Sequence, residues 1–530
     1  MALAANQAGV DVAVVGYGPV GVVAANLLGG YGIRTVVLER DEDIYARARA
    51  VTVNDWTMRI FQQMGLDEAA KAEMYVNGAL TWKTYHGKTV FTLEPAETGL
   101  GHEASYMIYQ PATEATLRRG VARFPGVVEV RCGETVTGFA QDPDGVSLSL
   151  DGGGTVRARY VLACDGGSSR MRAAMGAQMT GTTQEVTWII IDAEVLRFWP
   201  GANELVFWSD PERPAVDIPL ALGNHRWELP LRPDERPADF DSDEAVWSLL
   251  RPLGVTPEQI RLKQHAFYSH HTRRADRWRS GRVLLLGDAA HLMPPWAGQG
   301  MQSGIRDAHN VVWKVREILA GRLGAEILDT YQAEREPNIV AVTEMTHRLG
   351  MLIAGRDPKF VRARNTLGPV VSRLPALKRR LMPSAPPVLT AGWLSGAPGK
   401  RSAVGRMFPQ PPVWNAAGRA IRLDDALGDG FAVAAFDADP RTLLRPADIA
   451  AWERLGARFL AIRSIGSGAH ADSDLIDHTG TLRRWFTMHR ARALAIRPDR
   501  FVAGSTPDGT ALAPPTDAPA RQTRPEGALA

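Results

Sequence analysis

The chain has 530 residues, which is too long for a single hydrophobic core and predicts two or three domains. Its composition, with 45% hydrophobic and 22% charged residues, is typical of a globular α/β protein and excludes the disordered and fibrous classes. The formal net charge is only +3 and no long basic block occurs, so the chain lacks the concentrated positive field of a nucleic-acid-binding protein.

The cysteine content and the length of the hydrophobic runs test whether the chain is a disulfide-rich, metal-binding, membrane or secreted protein. The two cysteines, Cys132 and Cys164, are too few for a disulfide framework or a zinc cluster, and no metal site is predicted. No apolar stretch reaches the length that crosses a bilayer, and the first ten residues lack the pattern of a secretion signal. We therefore expect a cytoplasmic protein with neither membrane nor nucleic-acid partners.

The first elements of the chain predict a βαβ unit. A valine-rich strand, VDVAVVGYG, is followed by a helix from Pro19 to about Gly29, and a second strand, TVVLE, ends at Glu39. The near-continuous valine content of the first strand is typical of a parallel sheet that is covered on both faces.

Later segments predict how the domains are arranged. Residues 181–274 contain strand-like stretches rich in β-branched and aromatic residues, which predict a β-sheet domain inserted into the first domain. The α/β pattern returns afterwards, so the first domain is expected to be discontinuous, over residues 1–180 and 275–365. Residues 366–400 are predicted to be a connector, 401–510 a small C-terminal α/β domain, and 511–530 a disordered tail.

The segment GYGPVG carries the strongest local motif. Gly16, Gly18 and Gly21 have the Gly-x-Gly-x-x-Gly spacing between a strand and a helix, which is the pattern of a dinucleotide-binding turn. Gly16 allows the tight turn, Gly18 lets the backbone approach a pyrophosphate, and Gly21 lets the helix pack closely. Glu39, at the end of the second strand, is placed to accept hydrogen bonds from a ribose diol. The motif alone does not distinguish NAD from FAD.

Two later segments distinguish the cofactor by resemblance. YVLACDGGSSRMR places Asp165 after a strand, and RVLLLGDAAHLMPPWAGQGMQSGIRDAHNVVWKV places Gly287 and Asp288 after another. Together with the first glycine turn, these segments resemble the flavoprotein hydroxylases typified by p-hydroxybenzoate hydroxylase. The resemblance implies that FAD is the cofactor, that Asp288 binds a ribityl hydroxyl, and that Asp165 lies near FAD and the NAD(P)H route. Further FAD contacts are implied for Arg40, Arg49 and Gln110.

The loop PPWAGQGMQSG resembles the segment beneath the isoalloxazine ring in this family. Gly298 and Gly300 would let backbone N–H groups face the flavin and stabilise negative charge on the reduced ring. The N–H groups concerned are those of Met301 and Gln302. The family often has Asn where this chain has Gln302. A contact through the backbone is preserved despite this difference, whereas a contact through the side chain is not. Pro295 matches a proline whose carbonyl lies close to the reacting substrate.

The wider resemblance is to the 3-(3-hydroxyphenyl)propionate hydroxylase branch, and it spans most of residues 10–505. It implies an α/β fold (α+β overall) with a Rossmann-like FAD-binding domain, an inserted β-sheet substrate domain and a C-terminal thioredoxin-like domain. Residues 401–510 contain no cysteine, so the last domain cannot be a dithiol redox module. A structural or oligomerisation role is expected for it, and a homodimer is the expected assembly.

The resemblance also implies a reaction. NADH or NADPH reduces FAD, O2 forms a flavin C4a-hydroperoxide, and the electrophilic oxygen hydroxylates a phenolic acid like 3-(3-hydroxyphenyl)propionate, ortho or para to its hydroxyl. Loss of the phenolic proton enriches the ring in electrons, so a base or proton relay is useful. His270 and His271 are the catalytic candidates, although a purely structural role is open for each.

The substrate pocket is predicted from strand alternation. In HRWELPL, His225 and Trp227 share one side of a strand, and whether that side faces the substrate is open. Trp296, in the flavin loop, is a third candidate. An alternative function is a natural-product (polyketide-type) tailoring hydroxylase on the same fold, and a non-enzymatic interaction protein is another. Flavin-dependent halogenation is disfavoured because the chain lacks a Trp-x-Trp-x-x-Pro segment.

Overall fold

A computed structural model describes residues 9–355, 357–371, 373–374, 386–467, 471 and 473–515. In chain order, the strands are β1 (Val10–Val15), β2 (Thr35–Leu38), β3 (Thr52–Asn54), β4 (Tyr75–Val76), β5 (Leu80–Lys83), β6 (Thr89–Leu93), β7 (Ser105–Met107), β8 (Val128–Arg131), β9 (Val136–Asp142), β10 (Gly145–Leu150), β11 (Thr155–Ala163), β12 (Met179–Val195), β13 (Leu205–Trp208), β14 (Ala215–Leu220), β15 (Asn224–Pro230), β16 (Ile260–Ala275), β17 (Arg279–Ser280), β18 (Val283–Leu285), β19 (His291–Leu292), β20 (Pro412–Trp414), β21 (Ala420–Arg422), β22 (Ala432–Phe436), β23 (Arg458–Ser464), β24 (Leu475–Asp477), β25 (Ala493–Ile496) and β26 (Val502–Thr506).

The α-helices, again in chain order, are α1 (Pro19–Gly30), α2 (Asp55–Gln63), α3 (Asp67–Lys71), α4 (Gln110–Val121), α5 (Arg170–Ala174), α6 (Asp243–Leu250), α7 (Gln299–Leu319), α8 (Thr330–Ala354), α9 (Pro358–Val371), α10 (Leu423–Leu427), α11 (Pro440–Leu443), α12 (Pro446–Arg454) and α13 (Thr481–Met488). Short 3-10 helices cover Pro237–Phe240, Arg251–Leu253, Gly287–Ala289, Pro295–Ala297 and Ala325–Asp329. The chain divides into two compact units. The first comprises Met1–His309 and Ile339–Ala385, and the second comprises Asn310–Asn338 and Pro386–Ala530.

An eight-stranded sheet in the first unit contains the predicted βαβ unit. Its main path is β17-β18-β11-β1-β2-β8, and β10 and β9 extend from β11. Strand β1 pairs in parallel with β2 and β11, so that Val12 lies opposite Thr35 on one side and Tyr160 on the other. All four residues of β2 are buried, as expected for a parallel strand covered on both faces. The carboxyl ends of β1, β11 and β18 therefore meet at one edge of this sheet.

A second eight-stranded sheet in the first unit has the order β19-β16-β12-β15-β14-β13-β5-β6. This is the sheet predicted for residues 181–274, but β5 and β6 come from residues 80–93. Strand β5 joins because β13 would otherwise leave its backbone unpaired, and the two strands pair in parallel from Leu205 opposite Leu80. Strand β19 (His291–Leu292) also lies outside the predicted range, which therefore omits three strands of the sheet.

The two faces of this second sheet pack differently. One face packs against α6 in an apolar core that includes Ile189, Trp227 and Leu249. The other face belongs to a cluster that includes Trp296 and Leu349. Because successive side chains of a strand alternate between faces, neighbouring residues of β12 belong to different clusters, Trp188 to the second and Ile189 to the first.

The second unit contains a seven-stranded mixed sheet of order β21-β20-β24-β23-β22-β25-β26. Strands β22, β23 and β24 are parallel to one another, and the other pairs are antiparallel. Ala434 and Val433 point to opposite faces and belong to two separate apolar clusters. The mixed α/β fold class is confirmed.

Residues 310–338 pack within the second unit, although the sequence placed them in the FAD-binding domain of 275–365. The reason is a buried charge cluster. Lys314 Nζ and Arg497 Nη2 each lie 2.8 Å from Glu334 Oε2, and all three side chains are fully buried. Buried charges are costly unless they are paired, so these partners hold the two segments of the unit together.

The predicted tail of 511–530 begins too early. Leu512 is only 3% exposed and belongs to an apolar cluster of the second unit. Its N–H donates to Asp448 Oδ2 at 2.9 Å, and its carbonyl accepts from Trp452 Nε1 at 2.7 Å. Packed structure therefore continues through residue 512, and residues 516–530 lie outside the described part of the chain.

This contact predicts different outcomes for two truncations. Ending the chain after residue 515 should leave the thermal unfolding of the protein unchanged, because Leu512 and its partners remain. Ending it after residue 510 should lower the free energy of unfolding of the second unit by about 2 to 4 kcal/mol, from one exposed apolar pocket and two lost hydrogen bonds. Calorimetry on both variants measures this difference, and equal melting of the two would contradict the role given to Leu512.

Candidate functional site

A cavity of about 450 Å³ lies in the first unit. It opens where three parallel strands end, since Gly18 follows β1, Gly166 follows β11 and Asp288 follows β18, and all three residues line it. The opposite wall is the second sheet, which contributes Phe207 and Glu228 among others. Ligands of open α/β sheets bind at this kind of edge.

The glycine turn after β1 has the close packing that its spacing predicts. Gly16 has φ +98°, and a Cβ there would lie 2.4 Å from the Cys164 carbonyl oxygen. A Cβ on Gly21 would lie 1.9 Å from the Gly16 carbonyl oxygen. At Gly18, by contrast, no atom of the described residues other than its chain neighbours lies within 4 Å of the Cβ position, and this residue precedes the first turn of α1. Gly16 and Gly21 therefore shape the turn, and Gly18 faces open space on the cavity wall.

Glu39 connects the end of β2 to this turn. Its Oε2 accepts the N–H of Tyr17 at 2.6 Å, and its Oε1 accepts the N–H of Asp41 at 3.0 Å. Each carboxylate oxygen keeps lone pairs for a further donor. The neighbouring Arg40 is exposed and lies 3.7 Å from the Asp41 carboxylate, and neither Glu39 nor Arg40 lines the cavity itself. The structure therefore brings Glu39, but not Arg40, to the glycine turn.

Gln110 and Arg226 fix the segment that carries Arg49. Gln110 Oε1 accepts the N–H groups of Arg49 and Ala50, each at 2.7 Å. Arg226 donates to the Ala48 carbonyl from the opposite side. Both Arg49 and Gln110 line the cavity. The segment is therefore held by one side chain from α4 and another from the second sheet.

The turn after β18 presents Asp288 to the cavity. Asp307 Oδ2 accepts the N–H of Gly287 at 3.1 Å and lies 2.6 Å from His291 Nε2, which fixes this turn from α7. Within the described residues, no group donates a hydrogen bond to the Asp288 carboxyl, and burial raises its pKa. Its oxygens are therefore available to an occupant of the cavity.

Helix α7 packs directly on this turn. A Cβ on Gly304 would lie 2.9 Å from the Gly287 Cα and 2.5 Å from Val20 Cγ2 of α1. The close approach of α1, the turn and α7 is therefore possible because both contact positions are glycine.

The loop from Pro295 to Gln302 forms another wall of the cavity. Pro295, Gly298, Gly300, Met301 and Gln302 all line the cavity, as does Trp296. Gly298 has φ +59° and ends a 3-10 turn.

The side chain of Gln302 is engaged within the protein. Its Oε1 accepts from the Asn54 N–H at 2.9 Å and from Thr57 Oγ1 at 3.0 Å, and its Nε2 donates to the Gly298 carbonyl at 2.8 Å. The Gln302 side chain thus stabilises the loop, which leaves only the backbone contact that the sequence predicted.

Asp165 has a local role. Ser169 Oγ donates to its Oδ1 at 2.6 Å, and the Met171 N–H donates to its Oδ2 at 3.1 Å. Both oxygens therefore support the first turn of α5, and burial raises the pKa of this carboxyl. Asp165 does not line the cavity, although its neighbours Cys164 and Gly166 do.

His225 and Trp227 point away from the cavity, which corrects their prediction as substrate residues. His225 is 1% exposed, its Nε2 lies 2.5 Å from Asp217 Oδ1, and its ring stacks on Trp227 at 4.3 Å. Trp227 belongs to the core on the α6 side of the sheet. The face that these residues share is the packing face, and the alternate residue Glu228 faces the cavity.

Neither predicted catalytic histidine lines the cavity. His270 is 2% exposed, stacks on Trp188 and meets the Trp296 ring edge-to-face at 4.8 Å. Burial lowers its pKa to about 4, so the ring is neutral at pH 7 and supports Trp296 from behind. His271 lies on the exposed side of β16, with its Nδ1 2.9 Å from Thr183 Oγ1. The structure therefore contradicts a direct role for His271 as a base.

Sequence reasoning missed Glu228 and Asp307. Glu228 could have been found as an acidic residue in a strand otherwise expected to be buried, since such a group usually has a specific task. Asp307 could not, because its contact with His291 depends on how α7 crosses the turn after β18. In the described part of the chain, no cluster of three metal-ligating side chains occurs, and no helix is both long and apolar enough to cross a membrane.

Residues 9–346 match a protein family described as the FAD binding domain, and residues 405–517 match the HcaD C-terminal domain. The 3-(3-hydroxy-phenyl)propionate/3-hydroxycinnamic acid hydroxylase of Mycolicibacterium smegmatis is 36% identical over 510 residues, covering 94% of this chain and 90% of that protein. The protein of the same name from Burkholderia cenocepacia is 34% identical over 519 residues, covering 94% of each chain.

Solved structures show the same fold. The flavin-dependent monooxygenase PieE, in complex with FAD and substrate, matches with a TM-score of 0.79 at 22% identity, over 95% of this chain and 97% of that one. Aklavinone-11 hydroxylase, with FAD and aklavinone, matches with a TM-score of 0.76 at 22% identity, over 95% and 96%. These structural matches establish the fold, and the two relatives with 36% and 34% sequence identity establish the family. The chain therefore belongs to the FAD-dependent aromatic hydroxylases, a family of flavoprotein monooxygenases.

Proposed function

We propose that this monooxygenase hydroxylates a phenolic acid of the 3-(3-hydroxyphenyl)propionate type, using O2 and either NADH or NADPH. The observation that carries the proposal is the composition of the cavity. One wall is the glycine-rich edge with Asp288, and the facing wall is an apolar sheet face that bears one carboxyl group. Relatives with 34 to 36% identity along nearly the whole chain carry hydroxylase names of this substrate type.

The sheet wall suits a small aromatic ring. Its lining side chains include Leu205, Phe207 and Ile218, and Leu349 of α8 and Trp296 of the flavin loop complete this part of the cavity. Apolar walls exclude water and strengthen polar contacts inside the cavity. A substrate ring bound there would lie in the same cavity as the flavin loop.

The residues present fit FAD. The open space at Gly18, the available carboxyl of Asp288 and the N–H groups of the 298–302 loop are of the kinds that bind pyrophosphate, ribityl hydroxyls and a flavin ring. When bound, FAD accepts electrons from the nicotinamide and transfers them to O2, which makes one oxygen atom electrophilic. We assign Glu39 to the ribose, Asp288 to the ribityl chain, and the N–H groups of Met301 and Gln302 to the flavin ring.

Larger polycyclic substrates are the second candidate class. The solved structure of a hydroxylase named for aklavinone shares the fold, but its 22% identity carries no substrate assignment. The homodimer, the cytoplasmic location and the preference between NADH and NADPH stay predictions.

The proposal predicts which compounds support coupled turnover. In a screen of phenolic acids and polycyclic phenols, purified holoenzyme should oxidise NADH or NADPH fastest with 3-hydroxyphenyl acids and give one hydroxylated product per nucleotide oxidised. Product analysis separates this outcome from peroxide release. If only polycyclic phenols gave coupled turnover, the substrates would instead belong to the second, polycyclic class.

Asp288→Ala should weaken FAD binding by on the order of 1 to 3 kcal/mol, because a ribityl hydroxyl loses its acceptor. Asp288→Asn keeps an acceptor oxygen and should lose less. Flavin fluorescence titration of the apoprotein measures both affinities, and excess FAD should restore much of the rate of the alanine variant. Normal FAD affinity together with failed hydroxylation would instead make Asp288 a catalytic residue.

Glu39→Ala should weaken FAD binding by about 1.5 to 3 kcal/mol, because the ribose loses a charged acceptor. The matched control is Glu42→Ala, which removes an exposed carboxylate from the same segment. The same titration should show a loss for the first variant and none for the second. Equal affinities would contradict the assignment of Glu39.

A further inference from the structure

Glu228 is a buried carboxyl group that the assignments above do not use. It lies on β15, where His225 and Trp227 pack on the α6 side of the sheet and Glu228 points to the cavity side. Only 7% of the residue is exposed, and it lines the cavity together with Phe207 and Pro295. A carboxyl group on an otherwise apolar wall requires a polar partner when the cavity is filled.

The contacts of Glu228 leave one oxygen available. Tyr268 Oη donates to Glu228 Oε2 at 3.0 Å, whereas Oε1 accepts no hydrogen bond from the described residues. The nearest cation is Arg226 Nη1, at 3.9 Å from Oε1, which is beyond hydrogen-bond distance. Arg226 itself is fixed by Asp192, whose Oδ1 lies 2.7 Å from its Nε. Oε1 is therefore an acceptor held in place by its surroundings.

Resting on the proposed function, we propose that Glu228 binds the phenolic hydroxyl of the substrate and accepts its proton during hydroxylation. Tyr268 and Arg226 are positioning residues that hold the carboxylate. A hydroxyl group can donate to Oε1, whereas a substrate carboxylate would be repelled by it. The hydroxyl end of a phenolic acid therefore faces this wall, and the acid end lies elsewhere.

The proton transfer balances within the hydroxylation. As the ring carbon ortho or para to the hydroxyl forms its bond to the electrophilic oxygen, the O–O bond of the O2-derived oxidant breaks, and its electron pair goes to the second oxygen, which ends as water. The phenolic O–H bond breaks in the same step, and its proton moves to Glu228 Oε1. The lone pair left on the phenolic oxygen offsets the electron demand of the ring. The hydrogen on the attacked carbon then leaves as a proton, which restores the aromatic ring, and Glu228 returns its proton to solvent or to the product.

The surroundings of Glu228 raise the pKa of its carboxyl group, which makes the carboxylate a stronger base. Burial raises its pKa above the ordinary value of 4.5, while Arg226 on the same strand and Tyr268 on β16 lower it and Asp192 on β12 raises it. A base must be ionised to accept a proton, so hydroxylation should be lost as the pH falls through this raised pKa. A general base of this kind contributes about 10²- to 10⁴-fold in rate.

The test compares three variants of the FAD-loaded enzyme. Glu228→Gln should lower the rate of substrate hydroxylation at least about 100-fold and remove the acid limb of the pH profile. Oxidation of the nucleotide should then yield hydrogen peroxide in place of the hydroxylated product. Tyr268→Phe keeps the carboxylate but loses a hydrogen bond that lowers its pKa, so the acid limb should move to higher pH. Asp217→Asn, a buried carboxyl on the opposite face of the same sheet, should leave the limb in place.

Binding gives a readout that does not need turnover. Wild-type holoenzyme should bind a phenol at least about tenfold more tightly than its methyl ether, which lacks the donor, and Glu228→Leu should lose this preference. Absorbance changes of the bound flavin report both affinities.

Two outcomes overturn the proposal: an unchanged acid limb in Glu228→Gln or Tyr268→Phe, or an unchanged preference in Glu228→Leu. Wild-type enzyme that forms no product from phenolic acids would count against the proposed function instead, and the binding preference would still decide the role of Glu228.

Discussion

Close backbone packing at the carboxyl edge of the parallel sheet is the constraint on which the cofactor site depends. Gly16 leaves no room for a Cβ beside the Cys164 carbonyl, and Gly304 of α7 lies against Gly287 and α1. Because side chains are absent at these points, α1, the turn after β18 and the flavin loop converge on one cavity. The Asp288 carboxyl and the open backbone at Gly18 thereby face the same space.

The substrate wall depends on the alternation of β15. Trp227 and His225 fill the packing face against α6, so the intervening residues face the cofactor side. Arg226 reaches the Ala48 carbonyl, and Glu228 reaches the cavity. One strand therefore positions both a segment of the cofactor site and a carboxyl group on the apolar wall.

The local motifs could be predicted from sequence because their chemistry lies within a few residues. The glycine turn, Glu39 and the βαβ order needed only spacing and periodicity, and the flavin loop needed only resemblance. Alternation along β15 separates His225 and Trp227 from Arg226 and Glu228, but it does not tell which of two buried faces lines a cavity. His225 and Trp227 were accordingly placed on the wrong face.

Contacts between segments that lie far apart along the chain could not be predicted from the sequence either. The amide of Gln302 binds Asn54, which lies 248 residues earlier, and Glu334 binds Arg497, 163 residues later. Such pairs follow from how helices cross the sheet and not from any local pattern. They explain why the segment 310–338 packs with the C-terminal unit, whereas periodicity alone assigned it to the FAD-binding domain.

The central claim is that this chain inserts one atom of molecular oxygen into a phenolic acid. The most direct measurement is mass spectrometry of the product formed by purified holoenzyme with NADH or NADPH under ¹⁸O2, using a 3-hydroxyphenyl acid as substrate. The account predicts a product with one additional hydroxyl that carries one ¹⁸O atom. A product labelled from water, or nucleotide oxidation that yields only peroxide with every phenolic acid, would contradict it.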